Sequence, residues 1–234
     1  NPAHNANAVA EFTIGVTIAE MRNVARGHSA LMNGQWREKF SNSGVIFELV
    51  NQTIGLIGFG TIARLVAKKL QGWDVNIQIY DPFVSDNDPD LAKYGCKKVE
   101  LAELLATSDV ISLHARSSGD KPLLGAEELA LLKPSAYLIN TARSYLVDYD
   151  ALDEILRDGK IRGAALDVFE SEPIKADHKM LTLDNVTLTN HRGGDTVNSY
   201  SDSPAMLFAE AKKFHAGDFD SVRFWKNKNE TMKK

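Results

Sequence analysis

The chain has 234 residues, 44% of them hydrophobic and 25% charged, which is ordinary for a globular protein able to bury a sizeable core. Its net charge of −4 provides no basic surface for nucleic acid, so we exclude nucleic acid as a partner. No apolar run is long enough to span a membrane, and the lone Cys96 excludes an intrachain disulfide. These features predict a cytoplasmic protein with no membrane partner.

The N-terminal segment predicts a buried helix. Residues 8–23 (AVAEFTIGVTIAEMRN) are apolar around most of the helical circumference, which is typical of a helix buried on several sides, between domains or subunits. A shorter helical segment follows over residues 25–36. The chain has no initiator methionine and enters helix almost at once, so we expect it to be part of something longer.

From residue 53 onward, apolar strand-like runs alternate with helical patterns. The predicted strands cover residues 53–59, 75–81, 109–114, 136–142, 163–169 and 185–190. Strands this apolar, separated by helices, indicate an α/β fold: a Rossmann-type, doubly wound parallel sheet with helices on both faces. A last helix is predicted over residues 203–217, opening with Ser203 and Pro204, and a solvated tail follows.

The stretch TIGLIGFGTIARLVAKKL places a glycine-rich loop between a predicted strand and a predicted helix. Gly58 permits a tight turn, and Gly60 lets the backbone approach a pyrophosphate at the helix N-terminus, with Ala63 in the third small position. Asp81 ends the next strand, where it would accept the ribose hydroxyls of NAD and repel the 2′-phosphate of NADP. This context predicts an NAD site rather than a plain strand–turn–helix.

Four ionisable side chains lie in stretches at the ends of later strands, whose carboxyl ends should meet at one edge of the sheet. They are Arg143, Asp167, Glu172 and His191. Hydride transfer to a 2-oxo acid needs a cation for the carboxylate and carbonyl, a proton donor near neutral pH, and a group that keeps this donor charged. Arginine, histidine and glutamate meet these needs, although each alone also suits a surface ion pair, a structural hydrogen bond or an exposed turn.

Five motifs in order resemble the D-isomer-specific 2-hydroxyacid dehydrogenases, over nearly the whole chain. They are NANAVAEFTIGVTIAEMRN, GLIGFGTIARLVA, LINTARSYLVD, GAALDVFESEP and TNHRGG. The resemblance implies NAD-dependent oxidoreduction of a D-2-hydroxy acid and its 2-oxo acid, without a metal, by a homodimer. The substrates implied are of the phosphoglycerate, hydroxypyruvate, glyoxylate or lactate type.

The resemblance also implies residue roles. Arg143 would bind and polarise the substrate, and His191 would be the proton donor or acceptor with Glu172 as its partner. Thr61 and Ile62 would lie against the pyrophosphate. The remaining cofactor contacts implied are the adenosine ribose at Asp81, and the nicotinamide carboxamide at Thr141, Ala142, Asp167, Gly193 and Gly194.

Three features of the sequence depart from the family pattern. Asn190 stands where the family usually has proline before the histidine, and Ser144 and Tyr145 follow the arginine in place of glycine or alanine. The loop after His114 (ARSSGDKP) lacks the usual LTPET-like run, which weakens any assignment of adenine contacts there. None of these departures removes a catalytic group.

The resemblance predicts two regions and leaves two alternatives open. Residues 1–195 would be the dinucleotide-binding domain with the leading interdomain and dimerisation helix. Residues 196–234 would be the C-terminal helix and tail returning to a substrate domain, whose N-terminal segment we expect to be missing here. The alternatives are a dimeric NAD(H)-sensing binding protein of the corepressor type and a catalytically inactive NAD-binding fragment. Glu172 argues against formate dehydrogenases, which have glutamine there.

Overall fold

A computed structural model describes residues 4–37, 39–44, 46–116, 121–219 and 221–222 of the chain. The predicted solvated tail at 226–234 lies outside these residues, as do positions 117–120 of the loop after His114.

Seven strands form one parallel sheet. They are β1 (Thr53–Ile57), β2 (Asn76–Tyr80), β3 (Cys96–Lys98), β4 (Val110–Leu113), β5 (Tyr137–Asn140), β6 (Gly163–Leu166) and β7 (Val186–Leu188). Their order is β3-β2-β1-β4-β5-β6-β7, which confirms the predicted doubly wound sheet. The edge strand β3 was not predicted, because its sequence Cys-Lys-Lys has no apolar run.

Helices cover both faces of this sheet. They are α1 (Ala6–Met21), α2 (Val24–Met32), α3 (Thr61–Lys69), α4 (Pro89–Lys93), α5 (Leu101–Thr107), α6 (Ala126–Leu129), α7 (Tyr149–Arg157) and α8 (Val197–His215). The 3₁₀ turns are Ser144–Leu146 and Lys179–Thr182. Asp148 caps α7 by accepting the N–H groups of Asp150 and Ala151, as its position before the helix predicts.

Alternation along the strands divides the buried apolar side chains between two cores, one on each face. One core joins the sheet to α5, α6 and α7 and includes Ile57, Leu105, Ile111, Leu129, Leu138 and Leu152. The other joins the sheet to α1 and α3 and includes Ala10, Leu56, Val66, Ile79 and Ile139. Helix α1 packs against α3 and against β5, β6 and β7, which explains its wide apolar surface.

The predicted start of the last helix is wrong. Helix α8 begins at Val197 because the Thr196 hydroxyl caps it, accepting the N–H of Ser199 at 3.1 Å. Pro204 therefore lies inside the helix rather than in its first turn. The predicted stop is correct, since Gly217 follows the helix with a φ of +76°.

The strand order places a crevice where β1 and β4 lie side by side but their connections leave in opposite directions. Ligands of open α/β sheets bind at the carboxyl ends of strands beside such a switch point. Among the helices described, none is both long and apolar enough to cross a lipid bilayer.

Candidate functional site

A cleft of about 870 Å³ opens at the carboxyl ends of β1, β2 and β4. The five residues predicted to contact the pyrophosphate and adenosine ribose all line it: Gly58, Gly60, Thr61, Ile62 and Asp81. The sheet therefore brings this part of the predicted cofactor site together at its switch point.

The two glycines of the loop, Gly58 and Gly60, are required for different physical reasons. Gly58 has a φ of +88°, and a Cβ there would lie 2.6 Å from the Ala115 nitrogen, so the fold itself requires glycine. At Gly60 a Cβ would meet nothing within 4 Å. Gly60 is the N-cap of α3 without a side-chain cap, which leaves the helix start bare toward the cleft. This open cradle fits a pyrophosphate.

The Asp81 carboxylate is fixed at the edge of the cleft by two backbone donors. Its Oδ2 accepts the N–H of Phe59 at 2.8 Å, and its Oδ1 accepts the N–H of Phe83 at 2.9 Å. Each carboxylate oxygen can accept further hydrogen bonds, so the ribose hydroxyls can still be bound. The residues present at this edge of the cleft fit NAD.

Two further cleft residues were not predicted. His114 follows β4, and its Nε2 lies 3.0 Å from the Ser112 hydroxyl. Burial lowers the pKa of His114 to about 4, so the ring is neutral at physiological pH. Phe83 lines the cleft with an almost fully exposed ring. The signal for His114 was its place directly after β4, at the switch point, and the signal for Phe83 was its place in the loop that follows β2.

The loop after β5 is tied to α1 by a pair of buried threonines. Thr141 Oγ1 lies 2.7 Å from Thr13 Oγ1. Because the Thr13 hydroxyl donates its only proton to the Val9 carbonyl at 2.8 Å, Thr141 donates to Thr13. The Thr141 hydroxyl thus holds the loop, and its backbone remains for the predicted cofactor contact.

A buried amide shapes the turn that carries Arg143. Asn140 accepts the Ala142 N–H at 3.1 Å and donates to the Arg143 carbonyl at 2.9 Å. The Arg143 side chain is exposed, with Nη1 donating to the Ala142 carbonyl at 2.6 Å. Asn140 was not singled out from the sequence, although a polar residue ending a wholly apolar strand was a usable signal.

Asp167 is buried and holds the segment after β7. Its Oδ1 accepts from the Thr189 hydroxyl at 2.6 Å and the Arg192 N–H at 2.9 Å. Its Oδ2 accepts the Gly193 N–H at 2.9 Å. The structure therefore gives Asp167 a structural task beside its predicted contact with the carboxamide, namely holding both ends of the turn around His191.

The two glycines after this turn are closely packed. A Cβ at Gly193 would lie 3.1 Å from Asp167 Oδ2 and 3.4 Å from the ring of Phe12. A Cβ at Gly194 would overlap the side chain of Asn5. Glycine at both positions is thus explained by packing within the chain, and their predicted cofactor contacts remain predictions.

His191 and Glu172 form an ion pair at the carboxyl edge. His191 Nδ1 lies 2.7 Å from Glu172 Oε2, and Glu172 Oε1 accepts the Phe169 N–H at 3.0 Å. The hydrogen bond from His191 is the main cause that lowers the pKa of Glu172, and the Phe169 N–H adds to it. Since an ionised carboxylate only accepts, Nδ1 is the donor and Nε2 faces away from Glu172.

The positive charge of Arg143 is the last and smallest of the causes that lower the pKa of Glu172, so the guanidinium lies within electrostatic range of this pair. The guanidinium, the imidazole and the carboxylate follow three different strands that end at the same edge of the sheet. An apolar pocket of about 560 Å³ adjoins the ion pair. Its apolar walls are Phe169, Pro173, Ile174, Leu181 and Leu188.

Comparison with known proteins agrees with this architecture. The chain is 36% identical to D-3-phosphoglycerate dehydrogenase from Methanocaldococcus jannaschii, over 93% of this chain and 41% of that protein. It is similar in structure to glyoxylate reductase from Paecilomyes thermophila, with a TM-score of 0.81, 29% identity, and coverage of 91% of this chain and 63% of that one. D-lactate dehydrogenase with NAD+ from Lactobacillus jensenii also matches, with a TM-score of 0.81, 26% identity, and coverage of 93% and 68%.

The chain therefore spans about two fifths to two thirds of the length of these relatives. The family model described as "D-isomer specific 2-hydroxyacid dehydrogenase, NAD binding domain" matches residues 14–193, which is more than half of the chain. This match covers the glycine-rich loop, the cleft and the ion pair. The chain belongs to the D-isomer-specific 2-hydroxyacid dehydrogenase family through its NAD-binding domain.

Proposed function

We propose that the protein interconverts a D-2-hydroxy acid and its 2-oxo acid with NAD as cofactor. The observation that carries this proposal is the 2.7 Å contact between His191 Nδ1 and Glu172 Oε2, with Arg143 close enough to influence the carboxylate. NADH supplies the hydride for the carbonyl carbon when it is bound. The substrates proposed are those of the relatives: phosphoglycerate, hydroxypyruvate, glyoxylate or lactate type.

His191 handles the proton of the reaction. Its Nε2 faces away from Glu172, so in reduction it can donate a proton to the carbonyl oxygen, and in oxidation it can accept the hydroxyl proton. Glu172 holds Nδ1–H and favours the charged ring. The left-handed backbone of His191, with a φ of +58°, is held by the hydrogen bonds to Asp167 on either side of it.

Arg143 binds the substrate carboxylate and polarises the reacting carbonyl. Its exposed guanidinium has five donors in a planar fork, which can engage a carboxylate and a neighbouring carbonyl together. Asn140 supports this role by fixing the turn from which Arg143 projects. Asn140 therefore fixes the backbone position from which the arginine side chain starts.

We propose that the cofactor binds in the cleft and along the carboxyl ends of β5, β6 and β7. The pyrophosphate and adenosine ribose would contact Gly58, Gly60, Thr61, Ile62 and Asp81. The carboxamide would contact Thr141, Ala142, Asp167, Gly193 and Gly194, which lie after those three strands. We propose residues 1–195 as the dinucleotide-binding domain and 196–234 as the segment that returns to a substrate domain.

The direct test is the loss of NADH absorbance in the presence of glyoxylate, hydroxypyruvate, pyruvate or phosphohydroxypyruvate. We expect turnover of at least one of these acids, and loss of turnover with retained NADH binding for His191→Asn. NADH binding without turnover of any 2-oxo acid would instead favour the NAD(H)-sensing protein or the inactive fragment.

We also propose that the protein is a homodimer in the cytoplasm. Apolar side chains on and after α2 are exposed in the single chain, with Met32 73% and Trp36 75% accessible. Large apolar side chains this exposed are typical of a surface that associates when they lie together. Light scattering should give a molar mass twice that of one chain for the wild type. Trp36→Glu should reduce the measured mass to that of one chain. A monomeric wild type contradicts the proposal.

A further inference from the structure

Phe59 lies between the two loop glycines. A charged side chain is hydrogen-bonded to each of the two peptide groups that flank it. The Phe59 side chain is buried, with 1% exposure. Its N–H donates to Asp81 Oδ2 at 2.8 Å, and its carbonyl accepts from Arg64 Nε at 3.0 Å. Two charged side chains therefore hold the loop at the cleft, one through the N–H and the other through the carbonyl of Phe59.

Arg64 joins three parts of the fold. Its two terminal nitrogens each lie 2.7 Å from an oxygen of Asp88, and Nη1 also lies 2.7 Å from Asp90 Oδ2. Its guanidinium carbon lies 4.5 Å from the centre of the Phe59 ring. This hydrogen bonding lowers the pKa of Asp88 to about 2, so the pair stays ionised at physiological pH. One planar cation thus links α3, the glycine loop and the start of α4.

The peptide between Phe59 and Gly60 is the point where this network reaches the cleft. In a trans peptide the C=O and the N–H point in opposite directions. Because Arg64 holds the Phe59 carbonyl, the Gly60 N–H points away from Arg64. Gly60 lines the cleft, and the space beside its Cα is open.

We propose that Arg64 is a positioning residue for the cofactor, which fixes the Phe59–Gly60 peptide so that the Gly60 N–H faces the bound pyrophosphate. This inference rests on the proposed NAD site but adds a residue that does not itself touch the cofactor. The planar fork of Arg64 makes the stack on Phe59, the bond to its carbonyl and the bonds to two aspartates at the same time, which the single ammonium group of a lysine cannot do.

Lys98 offers a matched control, because it holds the loop after β2 but not the glycine loop. Its Nζ lies 2.6 Å from the Val84 carbonyl and 2.7 Å from Asp86 Oδ1. Loss of Lys98 frees part of the loop after β2, whereas loss of Arg64 frees the end of that loop and also the Phe59–Gly60 peptide. The difference between the effects of the two substitutions on NADH binding therefore reports the contribution of the Phe59–Gly60 peptide.

The experiment compares Arg64→Met, Arg64→Lys and Lys98→Met with the wild type. NADH affinity is measured by calorimetry, and the melting temperature is measured by circular dichroism. The Gly60 amide resonance is followed by NMR in protein labelled with ¹⁵N-glycine. Arg64→Lys keeps a cation beside Asp88 and Asp90, so it should melt close to the wild type. It should nevertheless bind NADH about tenfold more weakly, the order expected for one lost charge-assisted hydrogen bond, with a shifted Gly60 resonance.

Arg64→Met should weaken binding at least as much, and Lys98→Met should leave affinity within about twofold and the Gly60 resonance unmoved. Wild-type affinity in Arg64→Lys with an unmoved Gly60 resonance would overturn the inference, and so would an equal effect of Lys98→Met. Failure of the wild type to bind NADH would overturn the proposed function as well.

Discussion

The cofactor cleft and the ion pair at the other end of the carboxyl edge are built in different ways. In the cleft, Phe59 is buried and both of its peptide groups are bound by charged side chains. In the ion pair, the His191 and Glu172 side chains remain 49% and 37% exposed. The cleft is thus preorganised by the domain itself. The charge interaction at the pair is screened by water and will strengthen when substrate or further protein covers it.

The largest effect should come from Arg143→Ala on the exposed side of this comparison. Loss of the guanidinium removes both the carboxylate contact and the carbonyl polarisation, so kcat should fall by about 10²- to 10³-fold. Arg143→Lys should not restore it, because an ammonium is a point charge with a different reach. Steady-state kinetics measures the effect, with NADH affinity as the control; near-normal kcat in the lysine variant contradicts the role.

The next largest effect is expected from a matched pair of substitutions in the cleft, Gly58→Ala and Gly60→Ala. At Gly58 the positive φ and the contact with Ala115 should cost about 3 kcal/mol of unfolding free energy. At Gly60 the cost should stay within about 1 kcal/mol, because the space is open and φ is −80°.

Gly60→Ala should instead weaken NADH binding by about tenfold, since its methyl group would occupy the space of the pyrophosphate. Urea unfolding and calorimetry separate the two quantities. Stable Gly60→Ala protein with wild-type affinity would mean that the open cradle is not the pyrophosphate site.

A smaller effect is expected for Asp81→Asn, which keeps an acceptor for the Phe59 N–H but removes the charge. The ratio of NADH to NADPH affinity should fall by about tenfold, because the 2′-phosphate is no longer repelled. Asp86→Asn, on the same loop and 85% exposed, is the control and should leave the ratio unchanged. An unchanged ratio in both variants removes Asp81 from the selection of NAD.

The smallest effect should be a shift of pH dependence in Glu172→Gln. The wild-type carboxylate, whose pKa is lowered by its bond to His191, favours the charged imidazole needed for reduction. Glutamine removes the negative charge beside Nδ1, so the midpoint of the reduction rate plotted against pH should move toward acid. Oxidation, which needs the neutral ring, should suffer less near neutral pH. Unmoved midpoints in both directions contradict the pairing.

The sequence predicts best what is local and periodic. The glycine loop and Asp81 follow from short spacings within one βαβ unit, and six of the seven strands follow from apolar runs. Strand β3 is too short and polar to be recognised, and the α8 start was misread because proline marks a first turn more often than an interior.

The parts of the site that could not be predicted depend on contacts distant in sequence. Arg64 and Asp88 are 24 residues apart in sequence, and the Thr13–Thr141 hydrogen bond joins residues that are 128 positions apart. The pairing of His191 with Glu172 was expected from the family resemblance, since no spacing in one sequence fixes such a pair. The geometry of this pair could be seen only in the folded structure.

The backbone conformation of His191 determines which substitution there removes activity without disturbing the fold. A φ of +58° is tolerated by asparagine but is strained for alanine, so an alanine substitution would disturb the turn held by Asp167 as well as remove the imidazole. Asparagine removes the chemistry and keeps the turn. A crystallographer who wants cofactor and an unreacted 2-oxo acid trapped together should therefore start from His191→Asn.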